Sequence, residues 1–122
     1  MDEATRAAIR SDVAVAFGRH TVVDKVLQDG KVACKVEGVP LPPGCKPEKS
    51  DVLLVYNSRT EPPAMYIRDS VILRNTAAPR NLTPTQIDGE PWYQFSANYS
   101  YDISKPVSAL VYGRLGRFLR NE

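Results

Sequence analysis

Two cysteines, a single histidine and a pair of carboxylates are the side chains of this chain that could do chemistry by themselves. A cysteine attacks as its thiolate, so it needs access and a nearby cation or base. Cys45 lies between Gly44 and Lys46 in the stretch VPLPPGCKPEKS, residues 39–50. Exposure is expected there, and Lys46 and Lys49 would lower its pKa. No base accompanies it, so an incidental surface thiol is the plainer reading. Cys34 alternates with Val32 and Val36, the pattern of a small core hydrophobe. His20 is alone, and one histidine builds neither a His-rich metal site nor a Ser-His-Asp triad. The cysteines lack C-x-x-C spacing, so neither metal nor cofactor is implied. A Cys34–Cys45 disulfide is open by count, but a reducing compartment opposes it. Asp88 and Glu90 flank Gly89 and read as a turn before they read as a catalytic dyad. Neither nucleotide-binding glycine motif occurs.

Aromatic residues offer a second kind of chemistry. Trp92, Tyr93, Phe95, Tyr99 and Tyr101 cluster ahead of Arg114, Arg117 and Arg120, and stacking plus phosphate contacts could bind single-stranded nucleic acid. A formal net charge of +2 gives that reading little support. The aromatics also lie beside an apolar helix that needs a cover. Core packing is favoured for them, with Trp92 pinning a long loop.

The elements that must position these residues follow from periodicity. Residues 2–17 read as a helix, with Ala7, Val13, Ala14 and Phe17 as its apolar stripe and Arg6 and Arg10 outside. TVVDKVL and KVACKVEGV read as strands joined at Asp29-Gly30, a dipeptide suited to a type I′ turn. Asp51 to Tyr56 is apolar on both faces, as a central strand is. Pro62 and Pro63 end it, since neither can donate to a ladder, and a fourth strand begins at Ala64. VILRN, residues 71–75, extends that strand or makes a short extra one. Residues 75–91 hold Pro79, Pro84, Gly89 and Pro91 and few apolar side chains, so a long loop is expected. A C-terminal helix follows, capped at Ser104 or Lys105, with a stripe of Val107, Leu110, Val111, Leu115, Phe118 and Leu119. Its arginines are expected mostly outside that stripe. The expected fold is α+β: an N-terminal helix, a four-stranded antiparallel β-meander, a long loop, and a C-terminal helix packed on the sheet. Its 122 residues suit one domain over 1–122. No apolar run approaches the ~20 residues of a transmembrane helix. The acidic N-terminus lacks a signal-peptide layout, so a cytoplasmic location is expected.

In order and spacing, three motifs resemble the ubiquitin-conjugating-enzyme-like (UBC-like) superfamily, specifically its divergent prokaryotic family E branch. They are VPLPPG (39–44) before DVLL (51–54), EPPAMYI (61–67), and PWYQFS (91–96). The resemblance spans roughly Arg19 to Leu119. It implies the α+β fold just described and a place in a bacterial ubiquitin-like conjugation system, with a ubiquitin-like protein and an adenylating activating enzyme as partners. Family members carry the thioester cysteine in the loop after the fourth strand, behind a His-Pro-Asn motif. Here Arg74 to Pro106 contains neither Cys nor His. Branch members carry Arg-His after the aromatic-serine segment, where this chain has Ala97 and Asn98. The resemblance therefore implies a catalytically inactive accessory or binding module. Cys45 and Asn98 are the catalytic candidates, Asn98 as an oxyanion donor. Pro62, Pro63, Trp92, Phe95 and Tyr99 are the binding or structural ones. Three alternatives stay open: an active conjugating enzyme using Cys45, a nucleic-acid-binding module, and a structural or homo-oligomerising domain.

Overall fold

The computed structural model describes residues 1–122. Asp2 starts helix α1, Glu3–Ala16, by accepting the Thr5 amide at 2.7 Å, which satisfies an orphan donor of the first turn. The buried stripe is Ile9, Val13 and Phe17, four residues apart. Ala7 and Ala14 are exposed, contrary to expectation. The residue one turn before Val13 is Ile9, and Ile9 takes the place assigned to Ala7.

Strands β1 (Val22–Val26), β2 (Val32–Pro40), β3 (Lys49–Tyr56) and β4 (Ala64–Ile67) form an antiparallel meander. The β1–β2 turn is not type I′. Gly30 has a φ of 85°, Asp29 is not in the positive-φ region, and the Gly30 amide donates to the Leu27 carbonyl at 2.9 Å. That is a type I turn closed by a left-handed glycine, the usual three-residue hairpin loop. β3 is central as expected: Val52, Leu54 and Tyr56 face one core, Leu53 and Val55 the other.

The sheet has six strands rather than four, in the order β1-β2-β3-β4-β6-β5. The supposed long loop contains β5 (Leu82–Ile87), which pairs antiparallel with β6 (Glu90–Phe95). β6 then joins β4 through Tyr66–Gln94 and Ile67–Tyr93. β5 was illegible because it is an edge strand, which needs little apolar sequence and tolerates Pro84. The type I′ turn occurs here: Asp88 and Gly89 have φ of 48° and 82°. Residues 71–75 do not extend β4, because Ile72 makes a two-bond bridge to Lys46, at 2.8 and 2.9 Å.

Helix α2 covers Val107–Leu115 and tightens into a 3₁₀ segment, Gly116–Arg120. Pro106 holds the N-cap position, with no side-chain cap from Ser104 or Lys105. Val107, Leu110, Val111, Leu115 and Phe118 are buried, whereas Leu119 is 45% exposed. The narrower 3₁₀ turn rotates residue 119 off the α-helical stripe. Both helices pack on one sheet face, around Val36, Leu54, Ile67 and Phe95. The other face carries Leu27, Ala33, Leu53, Val55 and Trp92. The β5–β6 hairpin curls across that face. At its tip the Asp88 carboxylate accepts the Gln28 amide at 3.3 Å and lies 3.7 Å from the Lys25 ammonium. No helix is long and apolar enough to cross a membrane.

Candidate functional site

Neither thiol is at a surface. Cys34 is fully buried between Val32 and Val36 on the helix-covered face, as its alternation predicts. Burial, with Asp24 nearby, pushes its pKa from 9.0 up to about 12. Cys45 is only 4% exposed, which corrects the expectation of a surface thiol. The Lys46–Ile72 bridge straps its segment across the core, against Leu41, Val71 and Leu73. Burial raises the Cys45 pKa and outweighs the lowering by Arg74; the lowering expected from Lys46 and Lys49 is absent. Both thiols are free. His20 is half-buried, its Nδ1 donating to the Glu37 carbonyl at 2.9 Å.

The structure instead gathers functional-looking groups around the double-proline turn between β3 and β4. Pro63 is buried and Pro62 exposed, and two clefts open on either side of them. The larger, about 420 Å³, lies between α1, this turn and the segment leading to α2. The Arg59 guanidinium holds the Asp12 carboxylate there with two bonds of 2.9 and 3.1 Å, tying the turn to α1. Val15 and Ile103 leave apolar surface open beside them, at 81% and 48% exposure. Tyr101 closes the far end by donating its hydroxyl to the Lys105 carbonyl at 2.6 Å. Tyr56 lines the same cleft and is 5% exposed; burial raises its phenol pKa. The second cleft, about 330 Å³, is lined by Pro62, Pro63 and Phe95 together with Asn57, Gln94, Ser96 and Arg114. Three of the residues singled out from sequence therefore meet in one place.

Trp92, Tyr99 and Asn98 do not join them, and Phe95 reaches the cleft only from the core. Trp92 sits on the opposite sheet face, 3% exposed, with the Arg68 guanidinium 5.0 Å above its ring. Phe95 is fully buried and stacks on Phe118 at 4.8 Å. Tyr99 is 45% exposed and lies flat against Gly113, where a Cβ would overlap its ring. That glycine permits a close aromatic contact rather than packing on the sheet. Asn98 is exposed, and only its backbone carbonyl is engaged, by Arg117 at 3.0 Å. Asp88 and Glu90 are turn residues whose partners are cations, Lys25 and Arg68 respectively. No group of three or more His, Cys, Asp or Glu is placed to hold a metal ion.

Sequence reasoning named Arg114 only as a surface cation and missed its half-buried place in the cleft, though the signal was present. Residue 114 stands seven after Val107 and four after Leu110, on the buried stripe of α2. Placing the arginines mostly outside that stripe, without singling out residue 114, overlooked the spacing. The Asp12–Arg59 pair left no such signal, because its members are 47 residues apart. Comparison with family models, curated proteins and solved structures finds no match to the chain.

Proposed function

We propose that the chain is a UBC-like domain that works without thioester chemistry, as an accessory or binding module of a bacterial ubiquitin-like conjugation system. The carrying observation is the state of its thiols. Acyl transfer needs a thiolate that a donor can reach. Cys34 and Cys45 are 0% and 4% exposed, both with raised pKa, and no Cys or His lies between Arg74 and Pro106. The β5–β6 hairpin occupies the segment where the family keeps its thioester loop. Support for the kinship is architectural: a leading helix, four meandering strands, a double-proline turn before the fourth, and a closing helix on the same face. The cleft bounded by Val15, Arg59, Pro63 and Ile103 supplies an open, partly apolar surface for a protein partner.

The test uses candidate ubiquitin-like proteins and adenylating enzymes from the same genome. Sedimentation of each with the purified domain should detect a reversible complex, weakened when Ile103→Asp charges the cleft. The reading fails if none of them binds. Burial of Cys45 counts against the enzyme alternative.

A further inference from the structure

Arg114 is the only half-buried lysine or arginine whose side chain makes no hydrogen bond or ion pair inside the protein. Arg6, Lys31, Lys35, Arg68 and Arg117, buried to a similar extent, each sit beside a carboxylate. The Arg114 Nε is buried and unpartnered. Burial lowers the pKa of the group, with no neighbouring charge offsetting it. A desolvated guanidinium without a partner is costly, and proteins ordinarily pair it. The side chain lines the 330 Å³ cleft below the double proline, and no Asp or Glu lines that cleft. Its other polar lining residues are Lys31, Asn57, Tyr66, Gln94 and Ser96. The Lys31 ammonium is partly balanced by Asp29 at 3.5 Å, so the uncompensated charge is that of Arg114.

We propose that this cleft is an oxyanion-binding site in which the Arg114 fork grips a carboxylate or a phosphate group. Guanidinium geometry matches both anions, with two parallel N–H donors. The Asn57 and Gln94 amides and the Ser96 hydroxyl add neutral donors around it, and Pro62 gives the ligand's body an apolar rest. A single recessed cation fits one terminal anion better than a nucleic-acid backbone, which calls for a row of phosphate contacts. The inference is independent of the UBC-like reading and stands if that reading fails.

The test is a nuclear magnetic resonance titration of the whole protein with inorganic phosphate, and separately with acetate, at constant ionic strength in chloride. One of the two anions should give a saturable shift of the Arg114 Nε–H signal and of the Asn57 and Gln94 side-chain amides. The anion that saturates identifies the ligand class. In Arg114→Met the affinity should fall about tenfold or more, the worth of one charge-assisted bond. Arg114→Lys, which keeps the charge without the fork, should bind with intermediate strength and guards against misfolding of the first variant. No saturable shift with either anion overturns the proposal. So does an equal response in wild type and Arg114→Met.

Discussion

Replacing Trp92 by alanine should release the β5–β6 hairpin from the sheet. Trp92 is 3% exposed among Leu27, Ala33, Leu53 and Val55, so nearly all of its surface is removed from water by this one contact set. A tryptophan buries about 150–250 Å², and roughly 150 Å² of that is lost on truncation to alanine. At about 25 cal/mol per Å² this gives roughly 4 kcal/mol. A compact denatured chain lowers the figure by roughly a quarter. The Arg68 contact, 5.0 Å above the ring, returns about 0.5 kcal/mol of the difference. The expected cost is therefore about 3 kcal/mol, within the range of core tryptophan truncations. With a urea m-value of about 1–3 kcal/mol per M, the midpoint drops by about 1–3 M. Trp92 is the only tryptophan, so unfolding must be followed by far-UV circular dichroism rather than by its fluorescence. Hydrogen exchange should speed up first in residues 82–95, because the Asp88 contacts with Gln28 and Lys25 depend on the hairpin staying down. A loss below about 0.5 kcal/mol, with unchanged exchange in the hairpin, would refute the account of the second core.

Two further outcomes follow from backbone and titration. Gly89→Ala has room for its Cβ but must hold a φ of 82°, so it should cost about 1–2 kcal/mol, measured by urea unfolding. A neutral result would mean that the Asp88-Gly89 turn is not type I′. Stability should also fall at alkaline pH. Below pH 9 the Cys34 thiol is protonated in both states, and its contribution is fully present. From pH 9.0 to about 12 the unfolded chain loses a proton that the folded one keeps, so folding weakens by about 1.4 kcal/mol per pH unit. Cys45 and Tyr56, also raised, act in the same direction. Unfolding curves from pH 8 to 10.5 should show this slope, reduced in Cys34→Ala; an identical slope in the variant contradicts the burial of that thiol.

Where each element could be seen in the sequence depends on how many of its faces are buried. β3 was plain, because burial on both faces demands an unbroken apolar run. β5 was hidden, since an edge strand such as LTPTQI carries no such demand. The two Asp-Gly pairs make opposite turns, and the dipeptide cannot tell them apart; loop length decides, and pairing register sets loop length. Cys45 looked exposed because its neighbours, Gly44 and Lys46, are surface types. Its burial comes with the bridge that the next residue, Lys46, makes to Ile72, a contact no local pattern encodes. For the candidate site, Pro62, Pro63 and Phe95 were named in advance, but the sequence offered no reason for them to meet Arg114 in one cleft.

The central claim, that this domain carries no acyl group of its own, meets its most direct test in a thioester assay. The purified chain is incubated with ATP, a candidate adenylating enzyme from the same genome and its ubiquitin-like protein, then resolved with and without dithiothreitol. The account predicts no dithiothreitol-sensitive adduct on this chain, while the activating enzyme charges normally. A dithiothreitol-sensitive adduct that disappears in Cys45→Ser would contradict it.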